Sequence, residues 1–288
     1  MPGILRSTRV TLEMIKWEHS IFALPFALTG AVLAARGWPK PSVLLWIIVC
    51  MVSARSAAMA FNRLVDARLD AANPRTAKRA LPAGELSPGF VRAFILIAAA
   101  IFLFAAWRLN RLTLELAPLA LAVVLLYSYM KRITRWSHLV LGLALGIAPA
   151  AAWIAVRGTF APRAALLTAI VILWVGGFDI LYACQDFAHD RSAGLFSIPA
   201  AFGLEAAFWI ARAMHLGMLA LLFVLLHIFA LGHIALAGMI VVAALLVYEH
   251  AIVSPRDLSR MNAAFFTLNG IISVVFFVSI AADVLLHH

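Results

Sequence analysis

The stretch Asn62-Arg63-Leu64-Val65-Asp66-Ala67-Arg68-Leu69-Asp70 closes an apolar run over residues 42–62. About 20 apolar residues is the length of a helix that crosses a bilayer. Where the run ends, oxygen-bearing side chains recur every fourth residue, at Asn62, Asp66 and Asp70. Four-residue spacing stacks side chains on one helix face, about 6 Å apart along the axis. Such a column repels itself unless a cation lies against it. A second stretch, Asp179-Ile180-Leu181-Tyr182-Ala183-Cys184-Gln185-Asp186-Phe187-Ala188-His189-Asp190, closes another apolar run over 165–184. Counted as one continuous helix, Asp179, Tyr182, Asp186 and Asp190 share a face.

Outward from these two stretches the chain is mostly apolar. Hydrophobic residues make up 65% of it and charged residues 12%, with a mean hydropathy of +1.00. Soluble domains average about 45–50% apolar and roughly 25% charged. Nine apolar stretches are expected to cross the membrane: 19–35, 42–62, 89–107, 112–130, 138–156, 165–184, 205–226, 233–250 and 262–286. The predicted fold class is an all-α polytopic membrane bundle of about nine helices, with residues 1–288 as a single domain. Long uninterrupted runs exclude a barrel, whose strands alternate over about ten residues. Cys50 and Cys184 both fall inside spans, so neither a disulfide framework nor a cysteine metal site is expected. The segment Met1 to Glu18 is polar and basic, and no small-residue cleavage site follows it. The first span is therefore expected to be retained, with Lys16 and Trp17 at headgroup depth.

The net charge of +10 raises the question of nucleic acid, but the positions of the charges answer it. Of 23 Lys and Arg residues, Arg55 lies inside a span and Arg36, Lys40, Arg108, Arg111, Arg157 and Arg163 fall on one side. The remaining 16 fall on the other side, together with the N-terminus. The bias predicts a cytosolic N-terminus, with the excess charge facing anionic lipid and no nucleic-acid partner. Both acidic stretches end even-numbered spans, so both are expected at the cytosolic face, able to share one ligand.

Local signals mark the connections. Asn73-Pro74 and Pro82-Ala83-Gly84 end the first acidic helix, and Ser87-Pro88 starts the next. Gly146 and Pro149 are read as interrupting the fifth span, Gly194 and Pro199 as breakers after the second column, and Ser254 to Asp257 as a short capped helix. His215, His227, His233 and His250 show no four-residue pairing and read as packing or interfacial groups. Arg55, Met59, Asn62 and Asp66 lie near one face, so Arg55 should meet a polar cavity.

Hard divalent cations take oxygen ligands, and Mg²⁺ is commonly held by a few carboxylates plus substrate phosphates. Asp66, Asp70, Asp179, Asp186 and Asp190 are five of the chain's 13 acids, a formal charge of −5 in two short stretches. Two Mg²⁺ ions and a diphosphate of about −3 leave that site negative. Arg75, Lys78, Arg79, Lys131 and Arg132 can supply the remaining positive charge. Cations clamped on a diphosphate stabilise it as a leaving group. Metal-assisted departure of diphosphate is the chemistry this pattern favours.

These residues resemble the UbiA superfamily of intramembrane prenyltransferases. The first motif is similar to Asn62…Asp66…Asp70 with the basic turn from Arg75 to Gly84. The second is similar to Asp179-x-x-Tyr182-Ala183-x-x-Asp186-x-x-x-Asp190 with Gly194 and Ser197 after it. The stretch from Tyr127 to Thr134 also looks familial. The resemblance implies Mg²⁺-dependent transfer of a polyprenyl group from its diphosphate to an acceptor. By position, Asn62, Asp66, Asp70, Asp186 and Asp190 would hold the metal, and Arg75, Lys78, Arg79, Lys131 and Arg132 the diphosphate. Asp179 and Tyr182 would lie by the acceptor, with Asp179 taking its proton and Arg55 pairing with its carboxylate. Tyr182, Phe178 and Trp174 are candidates to shield an allylic cation. The stretches Lys16 to Phe26 and Gly177 to Asp186 look most like bacterial quinone-pathway members acting on 4-hydroxybenzoate, which implies an inner-membrane location. A similar subgroup acts on 1,4-dihydroxy-6-naphthoate in the futalosine route to menaquinone. A cation-coupled transporter is the alternative from another class, although transporter acids usually lie near the bilayer midplane at broken helices. A CDP-alcohol phosphotransferase would open on Asp-Gly-x-x-Ala-Arg, which this sequence lacks.

Overall fold

A computed structural model describes residues 2–16 and 20–287. Trp17, expected at headgroup depth, lies outside the described residues, as do Glu18 and His19 in the stretch read as quinone-pathway-like. Lys16 is exposed at the end of the first helix. The helices, in chain order, are α1 (Pro2–Ile15), α2 (Ser20–Ala35), α3 (Pro41–Ala72), α4 (Pro88–Leu109), α5 (Arg111–Leu126), α6 (Ser137–Arg157), α7 (Pro162–Ala183), α8 (Phe187–Ser192), α9 (Ile198–Phe202), α10 (Leu204–Phe229), α11 (His233–Ile252) and α12 (Asn269–His287). Eight helical segments among the described residues are long and apolar enough to span a bilayer. The first expected span corresponds to α2, whose described apolar stretch Leu24–Ala35 is shorter. The chain is an all-helical integral membrane bundle.

Neighbouring helices pack α3 on α4, α6 on α7, α7 on α10, α2 on α6 and α12, and α11 on α12. Lipid offers helices no hydrophobic reason to associate, so small residues that permit close backbone approach decide which faces meet. A Cβ at Gly142 would lie 2.7 Å from the carbonyl oxygen of Ile172 on α7, so α6 and α7 touch backbone to backbone there. Gly30 of α2 packs as closely against the Pro149 backbone of α6. Gly146 and Pro149 therefore do not interrupt the fifth span, and α6 runs unbroken through both. Neighbouring helices hold a proline-containing membrane helix together.

The core centres on α7. Trp174 lies tilted against Phe26 (ring centroids 4.7 Å) and edge-to-face with Phe178 (5.0 Å), and Phe26 stacks on Phe276 of α12 at 5.2 Å. Leu96, Ile240, Val247 and Leu286 face outward, as a lipid-facing surface requires. Aromatic and basic residues gather at both ends. Arg108 lies over Trp46 and Trp107 at one end, while Arg135 over Phe202 and Arg212 over Trp209 mark the other, an arrangement typical of headgroup depth.

Cap signals at the acidic end mostly act as expected. α3 stops at Ala72 with Asn73 as its C-cap, and the Ser87 hydroxyl accepts from the Phe90 N–H to start α4. Gly84 and Gly194 adopt the left-handed conformation, at φ +72° and +65°, that turns the chain after each acidic stretch. Pro199 lies in the first turn of α9 and initiates it rather than breaking it. Ser254 to Asp257 is not a helix. The two residues exchange backbone N–H···O bonds of 3.1 Å, closing a tight turn before a π-helical turn at Ala263–Leu268 opens the last span.

Candidate active site

The C-terminal end of α3 and the junction of α7 with α8 meet over a cavity of about 390 Å³. Asn62, Asp66 and Asp70 line it from α3, and Asp179, Tyr182, Asp186 and Asp190 from the facing side. The expected column on α3 forms, with Asn62 Nδ2 donating to Asp66 Oδ2 at 3.0 Å. The second column does not ride one continuous helix. α7 ends at Ala183, a 3-10 turn covers Cys184–Asp186, and α8 begins at Phe187. The tighter winding re-aims Asp186, yet all four side chains still reach the cavity.

Arginines hold the carboxylates. Arg75 grips Asp186 with both Nε (2.9 Å, to Oδ1) and Nη2 (to Oδ2), while its Nη1 donates to the Tyr182 hydroxyl at 3.2 Å. Its guanidinium also lies over the Tyr182 ring, 5.5 Å from the centroid. Burial works against the Arg75 charge, but hydrogen bonding and the charge of Asp186 outweigh it and hold its pKa above the ordinary guanidinium value. Arg79 donates to Asp70 Oδ1 and Arg132 to Asp66 Oδ1, each at 2.7 Å. Asn73 Nδ2 reaches across to Asp186 Oδ1 (3.2 Å), while its own Oδ1 accepts from the Arg75 N–H (2.9 Å). The turn after α3 is thereby tied to the opposite acidic segment.

Lys131 lines the cavity, whereas Lys78 is exposed and does not. Arg132 does not line it and reaches Asp66 from behind the wall, anchored on the Ser128 and Val65 carbonyls. Arg55 lines the cavity toward α1 and donates through Nη1 to the carbonyls of Ile15 (3.1 Å) and Lys16 (3.2 Å). Of the three aromatics, Phe178 and Tyr182 face the cavity, and Trp174 is buried in the core behind them. Met51, Ala54, Leu141, Leu145 and Val175 make the deep end apolar.

Among the described residues, the buried Asp70 Oδ2 and Asp190 Oδ2 of the cavity have no hydrogen-bond partner, and neither do the hydroxyls of Ser128 and Ser137 on its wall. Orphaned anionic oxygens of this kind call for a cation. Among the described residues no three acidic, His or Cys groups converge as a ready-made cage. That donor set suits an ion held by one or two carboxylates plus phosphate oxygens, the habit of Mg²⁺. Sequence reading missed Asn73, Ser137 and His138. His138 Nδ1 lies 2.7 Å from Asp179 Oδ2, a contact across 41 residues that no local spacing announces.

Residues 23–271 match the model of the UbiA prenyltransferase family. The chain belongs to that family. Among UbiA relatives, 4-hydroxybenzoate octaprenyltransferase of Vibrio cholerae serotype O1 is 34% identical over 185 residues, or 64% of this chain and 65% of that protein. The match thus spans just under two thirds of that relative's length. The same-named protein of Tolumonas auensis is 33% identical over 59% of this chain and 60% of its own. The structure of a UbiA homolog from Aeropyrum pernix K1 superposes with a TM-score of 0.85 at 34% identity, covering 93% of this chain and 98% of that one. A UbiA homolog from Archaeoglobus fulgidus bound to DMAPP and Mg²⁺ shares the fold at a TM-score of 0.73 and 18% identity, covering 95% of this chain and 98% of that one.

Proposed function

We propose that this protein transfers a polyprenyl chain from polyprenyl diphosphate to an aromatic acid of the 4-hydroxybenzoate type, with Mg²⁺, in ubiquinone or menaquinone biosynthesis. One observation carries the reading: acidic segments from two distant helices face each other across a single cavity, interleaved with arginines at one end and apolar at the other. A diphosphate with a hydrocarbon tail has that polarity. The names of the relatives and the ligands of the Archaeoglobus fulgidus protein support the same substrate class. One domain spanning 1–288 carries the activity, in a bacterial inner membrane, with the N-terminus and the acidic end facing the cytosol.

Asn62, Asp66, Asp70, Asp186 and Asp190 hold the metal in this reading. Mg²⁺, when bound, supplies charge stabilisation to the departing diphosphate. Arg75 and Arg79 exchange carboxylate partners for phosphate oxygens, with Lys131 beside them on the cavity wall; Arg132 acts from behind through Asp66, and Lys78 adds positive charge from the exposed turn. Arg is suited to the exchange because one planar fork fits carboxylate and phosphate alike. Tyr182 and Phe178 shield the allylic cation, while the apolar deep end excludes water from it. Arg55 orients the acceptor through its carboxylate, and Asp179 takes the ring proton after the new C–C bond forms. A hydroxynaphthoate such as 1,4-dihydroxy-6-naphthoate satisfies the same contacts. A cation-coupled transporter fits less well, because three of the five acids are paired with arginines at one end of the bundle.

The test is mass spectrometry of products formed in membranes given Mg²⁺, geranyl diphosphate and both acceptors together. A prenylated aromatic acid is the expected result, and which acceptor gains the chain assigns the pathway. Solute uptake without pyrophosphate release would overturn the proposal.

A further inference from the structure

His138 belongs to no motif in the sequence, yet it is fully buried and joins three elements at the cavity wall. It is the second residue of α6, it meets Asp179 of α7, and its Nε2 accepts from the backbone N–H of Ile198, the first residue of α9, at 3.2 Å. A backbone N–H can only donate, so Nε2 carries a lone pair and the ring proton sits on Nδ1. Nδ1–H therefore donates to Asp179 Oδ2 at 2.7 Å, the length of a charge-assisted bond. Asp179 lines the cavity with a side chain 18% exposed, against 0% for His138. One carboxylate oxygen is thus fixed from behind, leaving Oδ1 as the oxygen available to the cavity.

We propose that His138 is a positioning residue for proton removal: it fixes the rotamer of Asp179 so that Oδ1 faces the acceptor ring. This rests on the prenyl-transfer reading above. After the ring carbon has attacked the allylic cation, that carbon carries both the new chain and a hydrogen. Its C–H bond breaks, the electron pair returns to the ring, and the proton forms an O–H bond on Asp179 Oδ1. His138 keeps its own proton throughout and donates to Oδ2. The proton then passes to the diphosphate product, which leaves carrying it. A carboxylate held by a hydrogen-bonded neighbour reacts from one geometry rather than several, the usual service of a supporting residue.

The same histidine also pins α9 to α6, so the experiment separates the two duties. In His138→Asn the amide NH₂ stands near the Nδ1 position and can still donate to Asp179, but the contact with Ile198 is lost. In His138→Gln the amide oxygen stands near the Nε2 position and can accept from Ile198, while the donor to Asp179 is lost. Steady-state rates are measured in membranes with ring-deuterated and ordinary 4-hydroxybenzoate. His138→Gln is expected to lose about 10- to 100-fold in kcat and to acquire a primary deuterium isotope effect that wild type lacks, because proton loss has become slow. His138→Asn is expected to recover most of that loss without the isotope effect. Combining His138→Gln with Asp179→Asn should cost no more than Asp179→Asn alone, since both changes remove one function. Equal impairment of the two His138 variants without an isotope effect, or additive losses in the double variant, would reduce His138 to a pin and overturn the inference. If wild type makes no prenylated acid, the functional reading fails instead, a separate outcome.

Discussion

In α3 the acids ride one unbroken helix and meet arginines from two different connections, Arg79 on Asp70 and Arg132 on Asp66. At the α7–α8 junction a 3-10 turn splits the column, one arginine grips Asp186 with two nitrogens, and Asp190 is buried with an oxygen that has no partner among the described residues. The difference teaches how a charged site survives at the edge of a bilayer. Four-residue periodicity aligns the acids, but their mutual repulsion is relieved by cations that come from elsewhere in the chain. The first column draws those cations from the turn after α3 and from the turn after α5. The second takes Arg75 and Asn73 from the turn after α3, the same turn whose Arg79 pairs with Asp70, so that turn serves both sides.

If both columns hold one metal–diphosphate unit, neither can compensate for the other. Asp66→Ala and Asp190→Ala should each lower product formation on the order of 10³-fold or more, because several kcal/mol of leaving-group stabilisation is lost. Product formation is compared at equal amounts of membrane-inserted protein, and near-wild-type turnover in either variant would remove that column from the site. The next effect tests the asymmetry. Arg75→Lys replaces a two-pronged grip by a point charge and should lower kcat/KM for prenyl diphosphate about 10²-fold. Arg79→Lys alters a pair made through one nitrogen and should lose less. Equal losses would erase the distinction between the columns.

Much of this was legible in the sequence, and what was not has physical reasons. Span positions follow from runs of about 20 apolar residues, and the caps at Asn73 and Ser87 follow from local chemistry. The acid columns announced themselves because Asp is rare in a chain with 12% charged residues. The unbroken α6 was misread because Pro149 looks like a breaker until Gly30 of α2 is seen packed on its backbone. The 3-10 turn at Cys184–Asp186 is invisible because it changes winding by a fraction of a residue and needs no special composition. His138 was missed because its two partners, Asp179 and Ile198, lie 41 and 60 residues away. His215 and His250 likewise read as isolated, yet Nδ1 of one lies 2.9 Å from Nε2 of the other across two helices.

A smaller expected effect concerns Arg55, which stands apart from both columns and touches the end of α1. Its removal should raise KM for the acidic acceptor about tenfold, the scale of one charge-assisted hydrogen bond, and change KM for prenyl diphosphate far less. Equal shifts for the two substrates would assign Arg55 to the architecture around α1 instead of the acceptor.

The smallest expected effect falls on the residue that links the two columns. Asn73→Ala removes the bond to Asp186 Oδ1 and the acceptor for the Arg75 N–H, but Arg75 Nε still donates to that same carboxylate oxygen at 2.9 Å. Stability should therefore fall by about 1 kcal/mol, the net worth of an ordinary hydrogen bond, lowering Tm by about 2–4 °C in detergent. Thr76→Val supplies the matched control, since Thr76 Oγ1 donates to the Asp70 carbonyl within the α3 side alone. A fall in prenyl diphosphate turnover for Asn73→Ala beyond that of Thr76→Val, at comparable Tm, is expected if the turn aligns one acidic segment against the other. Matching losses in the two variants would mean that each segment is held in place independently, with Asn73 acting only as a helix cap.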